Sequence, residues 1–176
     1  MKRTRLHGIL FLSIVSLAGC ATTGERSKSA AKKPQEIVVP AGTQSPALGL
    51  AFDVSYDPAT NHIIPGYHIL TVGITNSSIR VVQLNPLEDR WGLVDRRGSK
   101  RSALLNLRHK DPDVWTTLPP RLKQLIEYPL YIGLGETHAI DLLFPNNIVL
   151  DDFREVHFFS ANLNAIIRIY ARESTE

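Results

Sequence analysis

The chain has 176 residues, one cysteine, one methionine and a formal net charge of +3. That length suits a single domain, and so few sulfur residues exclude a disulfide framework, a cysteine-rich metal site and methionine-rich copper chemistry. The positive charge does not argue for nucleic acid, because three of the 20 basic residues and none of the 17 acidic ones lie in residues 1–19, which leaves 17 of each beyond them.

In chain order, Lys2, Arg3 and Arg5 form a positive start, and Gly8 to Leu17 is an apolar run interrupted only by serines. A bilayer needs about 20 apolar residues to be crossed, so the run reads as the apolar region of a secretion signal rather than as a membrane span. Small residues and a cysteine follow, Leu17-Ala18-Gly19-Cys20. This tetrapeptide resembles the lipobox of bacterial lipoproteins. The resemblance implies cleavage between Gly19 and Cys20, a diacylglycerol on the Cys20 thiol, and an acyl chain such as palmitate on the new amino group. Several acyl chains anchor a protein stably, at about 0.8 kcal/mol per buried methylene. A lipidated Cys20 is also unavailable as a nucleophile or metal ligand. Residue 21 is Ala and not Asp, which by the sorting rule of the enteric members implies delivery to the outer membrane, with the body facing the periplasm. The alternative is an ordinary secretory signal whose cut happens to precede a cysteine.

The expected organisation is a signal peptide over 1–19, Cys20 and a flexible linker over 20–46, and a folded domain over 47–176. The linker is rich in Thr, Ser, Ala, Lys and Pro, with one apolar patch at Ile37–Val39. Beyond it, period-2 alternation predicts strands at Leu48–Val54 and Gly66–Thr75, and an extended segment at Ile79–Leu84. Arg90–Val94 and Lys100–Leu107 flank Asp95-Arg96-Arg97-Gly98-Ser99 and predict a hairpin with Gly98 at positive φ. Leu118–Tyr128 is the one helix predicted, from prolines at its start and a Leu122, Leu125, Ile126 stripe. Strands are then predicted at Leu130–Leu134, Thr137–Phe144, Val156–Phe159 and Ala165–Ala171.

Many short strands, frequent turns and one short helical insert predict an all-β sandwich. The segments YHILTVGITNSS, WGLVDRRGS, ETHAIDLLFP and IIRIYAR also resemble telokin-like, immunoglobulin-like domains of bacterial envelope lipoproteins. There an Asn ends an early strand and an Asp-x-x-Gly hairpin tip follows. The helical insert departs from that pattern and could instead mark a transthyretin-like sandwich.

No nucleophile elbow, zincin motif, P-loop or dinucleotide fingerprint is present in the sequence. Gly133-Leu134-Gly135 reads as turn glycine, and the histidines outside the signal show no ligand spacing. Asp111-Pro112-Asp113 and Asp151-Asp152 lack the oxygen-rich, glycine-containing loop that calcium uses, and read as loop or helix-capping residues. The sequence therefore predicts no metal, no cofactor and no enzyme activity. An enzyme would need a pocket converging on His138, Asp141 or His157.

The candidate partner surface is the basic hairpin, Arg96, Arg97, Lys100 and Arg101, continued by Arg108 and Lys110, together with Trp115 in the following segment. A basic cluster offers itself to phosphate head groups, a wall polymer or an acidic protein face. With Asp95, Asp111 and Asp113 nearby, the preferred reading is a solvated hairpin. Trp91 is expected in the core; Asn76-Ser77-Ser78 matches a glycosylation sequon that a bacterial lipoprotein would not use. These readings predict a non-enzymatic outer-membrane lipoprotein. It would be held to the membrane through Cys20 and present an interaction or scaffold domain to an unknown envelope protein or polymer. The alternative is a carrier or sensor of a small ligand or envelope lipid, with the helix and Trp115 as its lid.

Overall fold

The computed structural model describes residues 33–170, so Gly19, Cys20 and the expected signal lie outside the described residues. What it describes is mostly β. Strand β1 (Gln35–Pro40) runs parallel to β11 (Ala165–Tyr170), with Gln35 opposite Ala165 and Pro40 opposite Tyr170. From β11 the sheet continues antiparallel through β10 (Phe153–Ser160) and β6 (Arg90–Asp95) to β7 (Lys100–Ser102). A second, antiparallel sheet has the order β2 (Thr43–Ser45), β3 (Leu50–Tyr56), β4 (Tyr67–Asn76), β9 (Thr137–Pro145). A ribbon pairs β5 (Val82–Gln83) with β8 (Tyr131–Ile132).

The two main sheets share one apolar core. Alternate residues point to opposite faces of a strand, so Leu70, Val72 and Ile74 of β4 and Ile140, Leu142 and Phe144 of β9 all turn inward. They meet Trp91 and Leu93 of β6, Val156 and Phe158 of β10, and Ile167 and Ile169 of β11. The alternation predicted for β4, β9 and β11 is thus the alternation observed. The hairpin forms where predicted, with β6 paired to β7 and φ of 83° at Gly98, but β7 is only Lys100–Ser102 rather than Lys100–Leu107, because Leu104 bridges to Leu143 and Leu107 opens a helix.

Three expectations are corrected. Residues 35–45 were expected within the linker, with the Ile37–Val39 patch as an edge strand or a passing contact; the patch is indeed strand, and the segment forms β1 and β2. Composition misled because only Ile37 and Val39 of β1 are buried, at 8% and 1% exposure, and β1's backbone ladder is supplied by β11 from the far end of the chain. Ile79–Leu84 and Leu130–Leu134 were expected as longer extended pieces, and only the two-residue strands of the ribbon are paired. The helix expected at Leu118–Tyr128 is present but shorter, as α3 (Pro120–Leu125), and two unexpected short helices precede it, α1 (Leu107–Lys110) and α2 (Pro112–Thr117).

Local chemistry explains the three helices. The Asn106 side chain accepts from the His109 N–H at the start of α1, and Asp111 accepts from the Val114 N–H at the start of α2, where Pro112 suits the first turn. Asp111 is therefore a cap, one of the two uses its sequence context suggested. Helices of one or two turns do not persist alone. These are held by a second apolar cluster in which Leu107, Leu118 and Ile126 pack on Ile64, Ile69 and Leu143. Ile69 and Leu143 point away from the main core, so the insert covers part of the outer face of the β4–β9 sheet. A bridge between Leu104 and Leu143 (N···O 2.8 and 3.2 Å) and a bond from the Tyr67 hydroxyl to Asp111 Oδ2 (3.1 Å) tie it there.

Buried polar groups are paired. Asn76, with no exposure, donates to the carbonyls of Arg80 (2.8 Å) and Ile132 (3.0 Å), and accepts from the Ser78 N–H and hydroxyl. The amide is consumed in joining the end of β4 to the ribbon, and a buried amide is no glycan acceptor. Asp89 is likewise buried and accepts from the Asn85 N–H (2.8 Å), the Ala161 N–H (3.1 Å) and the Tyr128 hydroxyl (3.0 Å). Tyr128 in turn accepts from the Trp91 indole N–H at 3.0 Å. Burial pushes the Tyr128 hydroxyl up, the Trp91 bond opposes this, and the neighbouring Asp89 carboxylate adds to it. Tyr128 is neutral, as a donor to Asp89 must be.

Candidate functional site

The expected basic hairpin and Trp115 occupy different places. Arg96, Arg97, Lys100 and Arg101 are exposed around the β6–β7 tip. Asp95 closes that tip by accepting from the Ser99 N–H (2.8 Å), and Arg96 Nε lies 2.8 Å from Asp152 Oδ1. Arg97 and Arg101 line a shallow groove of about 250 Å³ together with Asp95 and Asp152. Acidic groups are therefore interleaved with the cations, and an exposed pair such as Arg96–Asp152 contributes only about 0–1 kcal/mol.

Trp115 is not in a loop. It lies half-buried on α2 and packs against the second apolar cluster. Its ring forms part of a groove of about 390 Å³ between the helical insert and the body, floored by Leu105, Leu107, Ile126 and Tyr128 and closed at one end by Pro86 and Leu130. Arg108, His109 and Lys123 stand on its rim with Glu127. Lys123 Nζ lies 5.6 Å from the Trp115 ring centroid and donates to the Thr116 carbonyl at 3.4 Å. That volume and mixed lining lie in the range of small-ligand sites. The rim carries Arg108, His109 and Lys123 against one carboxylate, Glu127, beside an apolar floor.

A third cluster, not foreseen from the residue pattern, occupies the outer face of the five-stranded sheet. Glu155 is 3% exposed. Arg168 approaches its Oε2 with Nε (3.2 Å) and Nη2 (2.8 Å), while Nη1 reaches Glu36 Oε1 at 3.0 Å. His157 Nε2 bonds to Glu155 Oε1. The Arg168 guanidinium also lies 5.3 Å from the Tyr170 ring centroid. Burial tends to raise the Glu155 carboxyl, but the bonds from His157, Arg168 and Tyr170 outweigh it and hold the group at about 2. Arg168 is pushed up by its bonds to Glu155 and Glu36, so the pair is ionised throughout the physiological range. The cross-strand register, His157 opposite Arg168 and Glu155 opposite Tyr170, assembles it.

His138, Asp141 and His157 are dispersed. His138 pairs with Glu136 at 3.3 Å, which with the Gly133 N–H bond holds the Glu136 carboxyl down. Asp141 accepts from the Thr71 hydroxyl at 2.7 Å across β4 and β9, with its carboxyl pushed up by burial. His157 belongs to the other sheet. The three grooves described here and below are lined by other residues. Among the described residues, no group of three or more His, Cys, Asp or Glu side chains is placed to hold a metal, and no helix is long and apolar enough to cross a membrane.

Lys123 beside Trp115 was missed because it reaches the ring from the next helix, while Arg108, read with the basic hairpin, lines the same groove from α1. A basic residue after a tryptophan was the only available signal. Comparison with family models, curated proteins and solved structures gives no match.

Proposed function

We propose that this chain is an outer-membrane lipoprotein, anchored through Cys20, that presents a non-enzymatic, immunoglobulin-like sandwich to the periplasm as an interaction or scaffold domain. The observation that supports it most is the Leu17-Ala18-Gly19-Cys20 tetrapeptide followed, within a short tether, by a folded body that starts at Gln35. At roughly 3.5 Å per residue, the contour from Cys20 to Gln35 is at most about 50 Å. The immunoglobulin-like reading draws support from two sheets over one core with the first strand paired to the last. The partner is an envelope protein or polymer, met by exposed surface rather than by a reaction centre.

Cys20→Ser is expected to abolish acylation and release the chain from the membrane fraction, while its circular dichroism stays that of the native body. Acyl labelling and fractionation of intact cells check this. Retention of the serine variant in the membrane would sink the anchor. Crosslinking of the lipidated form in cells then identifies the partner.

The Trp115 groove favours a second reading, a carrier or sensor of an anionic amphiphile. Lys123→Glu reverses one rim charge without touching the floor. It is expected to weaken binding of dodecyl phosphate about tenfold, or roughly 1.4 kcal/mol, with a reduced salt dependence in calorimetry. Equal affinity for both proteins removes this reading.

A further inference from the structure

The β5–β8 ribbon turns Val82 and Ile132 into the core and leaves its other face to solvent. On that face lie Val81, Leu130 and Tyr131, at 51%, 63% and 59% exposure, lining one open shallow groove. Ile79, 87% exposed, precedes them on the same segment, whose Arg80 carbonyl shares the Asn76 amide with the Ile132 carbonyl. The intervening Arg80 is exposed; Glu88 lies on the next turn. Large apolar side chains gathered in one exposed place mark a contact surface.

Topology says which end of the body this is. Asn162, in the β10–β11 turn, donates to the Gln83 carbonyl of the ribbon at 3.1 Å. Two residues on, the Asn164 carbonyl accepts from the Gln35 N–H at 3.0 Å. Gln35 opens β1, where the chain arrives from Cys20. The apolar face and the entry of the tether therefore share one end of the sandwich. The basic hairpin is at the other: β6 pairs Arg90 with Phe159 beside that turn and Asp95 with Phe153 at the opposite end of β10.

We propose that the ribbon face formed by Ile79, Val81, Leu130 and Tyr131 rests on the surface of the lipid bilayer that holds Cys20, with Arg80 at the phosphate level, so that the basic hairpin projects away from the membrane. This rests on the anchored reading above. The bilayer is the occupant favoured because the chain from Cys20 enters the body at this end. An amphipathic tyrosine beside aliphatic residues and an arginine suits the membrane–water boundary. The hairpin is then the part of the body presented to periplasmic partners.

The test uses the full chain, purified from membranes and reconstituted in vesicles of phosphatidylethanolamine and phosphatidylglycerol. An environment-sensitive dye is placed on Tyr131→Cys, with Val81→Cys as a second site and Arg97→Cys at the far end. Dye at 131 and 81 is expected to emit as in an apolar medium and to be quenched by a lipid-borne quencher, while dye at 97 emits as in water. Water-like emission at all three sites overturns the proposal. The mass of Cys20 in the same preparation judges the anchor separately. If Cys20 carries no lipid, the labelled Cys20→Ser chain is mixed with excess vesicles, where an apolar signal at 131 still supports the surface and its absence overturns it.

Discussion

Trp91→Ala is expected to destabilise the body by about 3–5 kcal/mol, a cost typical of truncating a buried aromatic. Trp91 is 3% exposed, and its ring stacks on Phe158 at a centroid distance of 4.0 Å and 8° between planes. Truncation leaves a cavity between the sheets and removes the ring–ring term, itself about 0.5–1.5 kcal/mol. It also deprives the Tyr128 hydroxyl of its donor and loosens the Trp91–Tyr128–Asp89 chain that links the insert to the β10–β11 turn. Folded domains hold about 5–15 kcal/mol in total, so the variant should melt far below the native chain and lose protection in the insert. Trp91→Phe keeps most of the packing and loses one hydrogen bond, with an expected cost of about 1–2 kcal/mol. Denaturant midpoints of the two variants measure the split. Equal losses would show that the hydrogen bond, and not the packing, dominates.

The second large effect is on pH dependence. The Glu155 carboxyl sits at about 2 in the folded protein against an ordinary value of 4.5. A depressed folded value means that the stabilisation is complete above about 4.5 and lost as pH falls towards about 2. The difference corresponds to roughly 3 kcal/mol. Denaturant midpoints should fall across that window, and Glu155→Gln should flatten the fall. Arg168→Met attacks the same pair from the other side. It leaves a buried carboxylate with His157 and Tyr170 but no fixed cation, and removing one partner of a buried pair costs about 3–5 kcal/mol. Arg168 is 26% exposed, which places the expected loss at the lower end. Because Arg168 also holds Glu36 on β1, hydrogen exchange should show β1 opening first. An unchanged acid profile in Glu155→Gln would exclude this cluster as the source of acid sensitivity.

The contrast between hairpin and groove shows which features of a surface a sequence discloses. Arg96, Arg97, Lys100 and Arg101 are close in sequence, so they read as a cluster, but Asp152 reaches that cluster from across the chain. Arg108 and Trp115 read as extensions of that hairpin and Lys123 was not singled out, yet the three lie on separate helices and line one groove. The hairpin gains meaning from its position. It stands at the end of β6 opposite the β10–β11 turn, beside which β1 begins.

What the sequence determined by itself is what local chemistry encodes. Period-2 alternation placed the inward faces of β4, β9 and β11, and Asp95 to Ser99 placed the hairpin. Prolines and Asp111 marked helix starts, although α1 and α2 were not expected. These signals act between neighbours in the chain and need no partner. Tertiary structure alone decided the rest. Residues 35–45 look like linker by composition and become strand because β11 supplies the ladder and the core supplies a place for Ile37 and Val39. Glu155, Arg168 and Glu36 form one ionic cluster only through cross-strand register. The ribbon face meets the tether end only because Asn162 and Asn164 join Gln83 and Gln35 through one turn. Contacts between distant segments depend on how sheets pack, and no periodicity along the chain carries that information.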